Sequence, residues 1–375
     1  MKIKRIYQDL KNFVMPNKVL IILGPRQTGK TTLLNDFLRT TNLKYKFVSG
    51  DDILVHEPLS SQKLNEIRSF CEGYELIAID EAQKIPNIGL AMKLMVDHIP
   101  GISVIATGSS SFELAGQTGE PLTGRKTTLL LYPISQMELL SRNNHFELKQ
   151  KLSEYLIYGS YPAVLTSGSS EEKSRVLNEI AGSYLFKDVF SFERIKSPQL
   201  LINLLRMLAL QIGSEVSINE LAGNLGIDNK TVKRYLELLE KGFIIRMLGG
   251  YSGNLRKEIT KKPKFYFYDT GIRNAVIANF NPLDLRNDTG PLWENFLVIE
   301  RLKKQAYKPV YANNFFWRSW TKKEVDFVEE REGKLFGYEF KWSAGKNKPP
   351  SLWLDSYANA TYQIIDRENY LEFVT

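Results

Sequence analysis

The stretch GPRQTGKT at residues 24–31 decides the fold of this chain, because it matches the pattern G-x-x-x-x-G-K-[ST] in full. It follows an apolar run at residues 18–23 and precedes a helical pattern at 31–39, which is the strand–loop–helix context that the pattern requires. The glycines of such a loop let successive backbone N–H groups converge on a phosphate, and the helix amino terminus adds partial positive charge. The sequence therefore predicts a P-loop that binds a nucleoside triphosphate.

The side chains of this loop have expected roles. Lys30 would reach the β- and γ-phosphate oxygens, and the Thr31 hydroxyl would bind Mg²⁺. Arg26 would touch phosphate or only its neighbours in the loop. The residues predicted to bind the nucleotide are Gly24, Pro25, Arg26, Gln27, Thr28, Gly29, Lys30, Thr31 and Thr32.

A second motif, LIAIDE at residues 76–81, places two acids at the end of an apolar strand. Asp80 is expected to hold Mg²⁺ through its water shell, and Glu81 is placed to polarise the attacking water. Two acids in succession at a strand end suit an ATPase better than a GTPase. The sequence therefore predicts ATP and Mg²⁺ as cofactors, with Glu81 and Lys30 as catalytic residues.

Three residues near later strands are further candidates for the same site. The run VIATGSS at residues 104–110 predicts a strand between the first two motifs, where Thr107 or Ser109 would bind near the γ-phosphate or orient the water. A strand-to-helix turn capped by serine explains this pattern equally well. Arg125 precedes the last strand of the domain and would neutralise transition-state charge, in its own subunit or a neighbour's, although most arginines are only solvated.

The first third of the chain alternates short apolar runs with helical patterns, for example at residues 88–98. Apolar runs bounded by helices indicate buried parallel strands. The expected fold class is α/β, with a doubly wound parallel P-loop sheet over residues 1–134 and a helical lid or connector over 135–196. The predicted strands lie at residues 18–23, 45–48, 76–79, 103–106 and 128–131.

The pattern across residues 216–248 is helix, tight turn, helix and strand, which is the order of a winged helix-turn-helix. Gly226 can end the first helix and Asp228 can cap the second. The second helix would expose basic side chains to DNA, although a module used for packing or protein contact would leave them solvated. We therefore predict a winged helix over residues 197–252, and its DNA-binding residues would be Asn229, Lys230, Lys233 and Arg234.

Acidic residues interrupt apolar patterns near the carboxyl terminus. Asp326 lies within a strand pattern, Glu339 and Lys341 share one face of the next strand, and Glu294 lies on a predicted helix upstream. Carboxylates that hold Mg²⁺ or Mn²⁺, with a lysine that steadies developing charge, are what a metal-dependent phosphodiesterase needs. An ordinary surface hairpin would carry the same short pattern. The sequence thus makes Asp326, Glu339 and Lys341 candidates for catalysis.

Composition limits the other functions of the chain. It has 375 residues, a net charge of +8, one cysteine and three scattered histidines. A disulfide framework and a thiolate zinc site are therefore excluded, and a Ser-His-Asp hydrolase has little material. No apolar stretch approaches the ~18 residues of a membrane span, and no secretory signal is recognisable. We expect a cytoplasmic protein without a membrane partner, and its basic charge favours DNA.

These motifs together resemble a prokaryotic group of AAA-type ATPases whose members carry a C-terminal domain of unknown function. The likeness rests on phrases in matching order over nearly the whole chain: GPRQTGKTTLL, LIAIDEAQKI, VIATGSSSFEL, LTGRKTTLLLYPIS, YLIYGSYPAVL, KFYFYDTGIRNAV, EVDFV and GYEFKW. The resemblance implies a nucleotide site, a winged helix, and a PD-(D/E)xK nuclease-like fold over residues 253–375. It implies metal ligands at Glu294, Asp326 and Glu339, although Val325 stands where the motif has proline.

Three functions fit these expectations. The chain would be an ATPase that binds DNA, a metal-dependent endonuclease gated by ATP, or a non-nucleolytic regulator or scaffold switched by ATP. The sequence does not distinguish between them, and it leaves a homo-oligomer or a protein partner open.

Overall fold

A computed structural model describes residues 3–109, 122–184, 197–253, 262–308, 310–343 and 351–375. Over these ranges the chain forms a five-stranded sheet in its first third and a six-stranded sheet in its last part, with helices between them. None of the helices in these ranges is long and apolar enough to cross a membrane.

The first sheet is parallel throughout and has the strand order β2-β3-β4-β1-β5. Its strands are β1 (Val19–Leu23), β2 (Tyr45–Ser49), β3 (Leu76–Asp80), β4 (Ser103–Gly108) and β5 (Lys126–Leu130). The helices of this part are α1 (Lys30–Thr40), α2 (His56–Ser60), α3 (Leu64–Cys71) and α4 (Ile88–His98). Strand β4 lies between β1 and β3, as the sequence predicts.

The apolar composition of the central strands explains their position. Every residue of β1, β3 and β4 is buried, as expected for strands covered on both faces. The chain passes from β1, near the middle of the sheet, to β2 at one edge, and then returns through β3 to β4. Because such crossovers are right-handed, the helix after β1 lies on one face of the sheet and the helices after β2 and β3 lie on the other. The predicted α/β fold with a parallel sheet is therefore confirmed.

Five short α-helices follow the first sheet within residues 131–179, all of which the structure describes. They are α5 (Gln136–Leu139), α6 (His145–Gln150), α7 (Leu152–Tyr158), α8 (Pro162–Thr166) and α9 (Ser170–Glu179). Capping boxes define two of their starts, because Ser135 and Asn144 each accept a backbone N–H three residues later while the glutamate there accepts in return. This region is helical where the structure describes it, as expected for a lid or connector.

A helix-turn-helix comes next. It contains α10 (Pro198–Leu210), α11 (Ile218–Leu225) and α12 (Asn229–Lys241). Gly226 ends α11 with a left-handed φ of +65°, and the Asp228 carboxylate caps α12 by accepting the Thr231 N–H at 2.9 Å. Both predicted boundary residues therefore act as expected.

The second sheet is mixed and has the order β11-β10-β9-β8-β6-β7. Its strands are β6 (Ile245–Tyr251), β7 (Lys264–Phe267), β8 (Asn313–Arg318), β9 (Glu324–Arg331), β10 (Lys334–Phe340) and β11 (Ala360–Ile365). The first half of β6 pairs antiparallel with β7, and its second half pairs parallel with β8. The six-stranded sheet thus combines β6, which precedes residues 252–253, with strands that follow them. The sequence predicts a domain boundary at these residues, and that boundary stays a prediction.

In the described part of this region, the α-helices beside the sheet are α13 (Thr270–Val276), α14 (Thr289–Tyr307), α15 (Ser351–Ser356) and α16 (Tyr370–Val374). Helix α14 contacts both parts of the chain. Its Glu300 accepts the Gln136 backbone N–H at 2.7 Å, and its Arg301 pairs with the buried Glu329 of β9. Separating a buried ion pair is costly, because it leaves an unpaired charge in the core. Helix α14 therefore holds the segment that follows the first sheet against the second sheet.

Candidate nucleotide site and C-terminal carboxylate site

Glycine is required at two positions of the P-loop for different physical reasons. A Cβ atom on Gly24 would lie 2.1 Å from the backbone oxygen of Leu131, so only glycine fits there. Gly29 has a φ of +93°, which is costly for any residue with a side chain, and it directly precedes α1. The loop therefore curls at the carboxyl end of β1, with the amino terminus of α1 behind it.

The Lys30 side chain is buried within this loop. Its Nζ donates to the backbone oxygens of Gly24 at 2.9 Å and Pro25 at 2.8 Å. The Thr28 hydroxyl also donates to the Pro25 oxygen, at 2.8 Å. The ammonium is thus held across the loop by carbonyl oxygens, which are weaker partners than phosphate oxygens because they carry no formal charge.

Hydroxyl and carboxylate groups from three elements meet beside the loop. The Thr31 hydroxyl of α1 donates to the Asp80 carboxylate of β3 at 2.9 Å. The Thr107 hydroxyl of β4 donates to the same carboxylate and accepts the Glu81 backbone N–H at 3.1 Å. Hard oxygen ligands of this kind suit Mg²⁺ together with phosphate oxygens, so the residues present fit that ion.

Glu81 is held by a residue that the sequence analysis did not single out. Gln83 donates from its Nε2 to the Glu81 carboxylate at 2.6 Å and to the Ser109 hydroxyl at 3.1 Å. Among the residues that the structure describes, the buried Oε1 of Gln83 has no hydrogen-bond partner. The only sequence signal for this role was its position two residues beyond Glu81, on the short turn Ala82–Lys84.

Replacing Gln83 by alanine should lower ATP turnover about tenfold, because a hydrogen bond to a charged group contributes ~1.5 kcal/mol. The affinity for ATP should stay unchanged, because the described hydrogen bonds of Gln83 go to Glu81 and Ser109 and the phosphates would bind to the P-loop. Steady-state turnover and equilibrium ATP binding would measure the two effects. The exposed Gln150 gives the control variant Gln150→Ala. Equal losses of affinity and turnover would contradict this positioning role.

Arg125 lies at the opposite end of the sheet from the P-loop. Its backbone oxygen accepts the N–H of Val19, the first residue of β1, whereas the loop follows Leu23 at the other end. Five strand residues span roughly 15 Å. The Arg125 side chain pairs with Asp97 at the end of α4. This arrangement places Arg125 away from the P-loop of its own subunit, and its role, in its own subunit or a neighbour's, stays a prediction.

A cleft with a volume of about 920 Å³ opens on the other side of α1. Thr28, Gly29 and the exposed Thr32 line it, together with Gln8 near the amino terminus and Pro162 of α8. The cleft thus joins the P-loop to the helical region that follows the first sheet. The remaining predicted loop residues lie beside it, with Arg26 half-buried and Gln27 exposed at a φ of +60°.

Arg5 is a second residue that the sequence analysis did not single out. Its buried guanidinium donates to the backbone oxygens of Thr28 and Tyr132 and pairs with Glu138 at 2.8 Å. It also donates to the Tyr307 hydroxyl at 3.4 Å. Arg5 thus connects the P-loop to the last turn of α14.

The predicted DNA-binding residues lie on the exposed face of α12. Asn229, Lys230, Lys233 and Arg234 are all exposed, and Val232 on the opposite face is buried in the core. The Asn229 side chain donates to the Asn219 side chain of α11 at 2.7 Å, which ties the first turn of α12 to α11. The structure therefore brings the four residues together on one surface.

Two of the predicted C-terminal residues, Asp326 and Glu339, lie on the adjacent strands β9 and β10, Lys341 directly follows β10, and Glu294 lies on α14. The Asp326 carboxylate of β9 accepts the Phe340 backbone N–H at 2.7 Å, and Lys341 donates to Glu339 at 2.6 Å. Burial raises the pKa of Asp326 well above its usual range, and the nearby carboxylates of Glu294 and Glu339 raise it further. The acids are therefore close enough to influence one another.

A buried lysine stands among these acids. Lys264 of β7 pairs with Glu294 at 3.0 Å and with Glu324, and the Tyr266 hydroxyl donates to Glu294 at 2.6 Å. Sequence reasoning missed both β7 residues, although their two-residue spacing puts them on one face of the strand. Over the described ranges, no group of three or more His, Cys, Asp or Glu residues could hold a metal ion. The prediction of a metal at Glu294, Asp326 and Glu339 therefore finds no support.

A P-loop after one strand of a parallel sheet, with an acid at the end of a nearby strand, defines a P-loop ATPase. Comparison with protein families agrees, since residues 16–140 match the model of an AAA domain. Residues 149–284 match a domain of unknown function (DUF8612), and residues 289–361 match another (DUF4143). Residues 16–140 thus form an AAA domain with a P-loop, which supports ATP binding, and domains of unknown function follow it.

Several known proteins are similar to this chain. An uncharacterized protein of Mycobacterium tuberculosis is 26% identical over 86% of this chain and 70% of its own length. One of Methanocaldococcus jannaschii is 25% identical over 89% of this chain and 77% of its own length. Among solved structures, a Walker-type ATPase of Pyrococcus abyssi superposes with a TM-score of 0.46 and 15% identity, covering 69% of this chain and 91% of that one.

Proposed function

We propose that this protein hydrolyses ATP with Mg²⁺ and uses the nucleotide state to control DNA binding by its helix-turn-helix. The observation that carries the DNA part is the cluster of Asn229, Lys230, Lys233 and Arg234 on the exposed face of α12. The second helix of a helix-turn-helix is the one that enters the major groove in DNA-binding proteins. The antiparallel β6–β7 pair after α12 supports a wing.

The hydrolysis step follows from the side chains around the loop. Thr31 and Asp80 would hold Mg²⁺, which neutralises charge on the phosphates. Lys30 would exchange its carbonyl acceptors for the β- and γ-phosphate oxygens. Glu81 would accept a proton from the attacking water, with its carboxylate oriented by Gln83.

The cleft beside α1 supports a nucleotide in this position. Its volume of about 920 Å³ lies within the usual range of small-molecule sites, roughly 300–1,000 Å³. It opens directly from Thr28 and Gly29, so a nucleotide whose phosphates lie in the loop would extend its base and ribose into the cleft.

Arg5 supplies a route by which nucleotide state would reach the rest of the chain. It contacts the Thr28 backbone in the loop and the Tyr307 hydroxyl at one end of α14. Near its other end, α14 carries Glu294, which pairs with Lys264 on β7. Because β7 pairs with the strand that follows α12, a shift of the loop would be transmitted to the helix-turn-helix.

Reversing the charges of Lys230, Lys233 and Arg234 to glutamate should weaken DNA binding roughly 100-fold or more. Three phosphate contacts would be lost, so the slope of log affinity against log salt should fall by about 2.7. Fluorescence anisotropy with duplex DNA over a salt series would measure both effects. DNA stimulation of ATP turnover should be lost in parallel.

The control is a variant with the same change in net charge elsewhere. Lys11, Lys63 and Arg68 are exposed on the ATP-binding part, and their reversal to glutamate leaves α12 untouched. This control should retain the wild-type salt slope. If the α12 variant and this control bind DNA equally well, α12 is not the reading helix.

The two other candidate functions, an ATP-gated nuclease and a regulator that does not cleave DNA, require different arrangements of the C-terminal site. Proximity of Asp326, Glu339 and Lys341 on and directly after adjacent strands favours an ATP-gated nuclease. The buried pairing of Lys264 with Glu294 and Glu324 favours a domain that does not cleave and serves as a binding platform. We retain the platform as the second candidate because most of its acids already pair with basic side chains.

A further inference from the structure

The C-terminal carboxylate cluster contains its own cation. The Lys264 side chain is 2% exposed and reaches Glu294 at 3.0 Å and Glu324 at a direct ion-pair contact. Its ammonium also lies 5.2 Å from the centre of the Phe316 ring, which covers it on another side. A buried ammonium in this setting is stable only because the carboxylates surround it.

Three of the four acids in this described cluster, Glu294, Glu324 and Glu339, form ion pairs with basic side chains. Glu324 has a second partner in Arg318 at 3.7 Å, and Glu339 pairs with Lys341. Asp326, the remaining acid, accepts the Phe340 backbone N–H and lies close enough to Lys264 to interact electrostatically. A divalent ion would add two positive charges to a cluster that already contains three basic side chains.

We propose that Lys264 replaces the metal ion that a nuclease-like site would require, so that this site joins two parts of the fold and does not cleave phosphodiesters. The ammonium links β7, which follows the helix-turn-helix, to α14 and β9 of the C-terminal part. The link extends further, because Arg318 of β8 pairs at 3.1 Å with Glu215, whose backbone forms an isolated antiparallel β-bridge with that of Lys264.

Replacing Lys264 by methionine should therefore create a metal site. The variant keeps a similar side-chain length but leaves Glu294, Glu324 and Asp326 without their shared cation. It should bind one Mn²⁺ at least tenfold more tightly, by rough estimate, than the parent chain, because close carboxylates without a counter-charge favour a divalent ion. Electron paramagnetic resonance of free Mn²⁺ would measure this binding in nucleotide-free protein.

Every chain in this experiment carries Asp80→Asn, which removes the carboxylate of the P-loop metal site. Lys334→Met, an exposed lysine of the same sheet, is the matched control and should bind no added Mn²⁺. Adding Asp326→Asn to Lys264→Met should abolish the new binding. Lys264→Arg, which keeps the charge, should behave like the parent chain.

The wild-type protein tests the proposal even if Lys264→Met does not fold. Supercoiled, linear, single-stranded and four-way-junction DNA would be incubated with Mg²⁺ or Mn²⁺, with and without ATP. We expect no cleavage and no Mn²⁺ binding that depends on Asp326. Metal-dependent cleavage that is lost in Lys341→Ala, or Mn²⁺ binding that is lost in Asp326→Asn, would overturn the proposal. DNA binding and ATP turnover are read separately, so neither result decides the proposed function.

Discussion

Replacing Lys30 by alanine should raise the dissociation constant for ATP about 100-fold. The buried Lys30 ammonium donates to the backbone oxygens of Gly24 and Pro25 within the loop. When ATP binds, it would donate to charged phosphate oxygens instead. A charge-assisted hydrogen bond contributes roughly 1.5–3 kcal/mol, and each 1.4 kcal/mol is a tenfold change in affinity. This is the largest single effect that we expect on ATP binding.

Equilibrium binding of a fluorescent ATP analogue, with titration calorimetry as a second method, would measure this change. Lys63 is exposed and directly precedes α3. The control Lys63→Ala therefore removes an equal charge outside the P-loop. Thermal unfolding of both variants would show that the fold is retained. Wild-type affinity in a folded Lys30→Ala protein would refute the site described here.

Replacing Glu81 by glutamine should lower ATP turnover about 100-fold while ATP still binds. The amide keeps the shape of the side chain but cannot accept a proton from water, and general base catalysis contributes roughly 10²–10⁴-fold. The Gln83 contact to this side chain can be retained, because the amide oxygen of the new residue accepts the same hydrogen bond.

A phosphate-release assay and a binding measurement on the same preparation separate the two quantities. Glu72→Gln, at an exposed position after α3, is the control with the same chemical change. Unchanged turnover in Glu81→Gln would assign activation of the water to another group. Combined with Gln83→Ala, the variant should show little additional loss, because both changes act on one carboxylate.

The ATP-binding part could be predicted because its determinants are local in sequence. One uninterrupted motif fixes the P-loop, and Asp80 and Thr107 lie at the carboxyl ends of buried strands, which meet at the same edge of the sheet. The same rule bears on Arg125, which precedes its strand and must therefore lie at the other edge. That signal was available in the sequence, and it places Arg125 away from the P-loop of its own subunit.

The residues that escaped prediction act over long sequence separations. Arg5 pairs with Glu138, which lies 133 residues away, and Lys264 pairs with Glu294, which lies 30 residues away. Lys264 begins the phrase KFYFYDTGIRNAV, but no motif assigns a role to it or to Arg5, because their partners come together only when distant elements pack. The sequence pattern predicts Glu339 and Lys341 on one strand face, whereas β10 ends at Phe340, and the pattern could not reveal that a buried lysine pairs with the neighbouring acids.

Strand β6 belongs to two structures at once, since it pairs with β7 beside the helix-turn-helix and with β8 in the C-terminal sheet. A flexible tether would let a DNA-binding helix search many orientations, whereas a shared strand allows none of that freedom. A duplex held by α12 would therefore lie at one fixed angle to the six-stranded sheet. The helix-turn-helix and the six-stranded sheet would then move as one rigid unit, and any movement driven by ATP would turn a bound duplex together with that sheet.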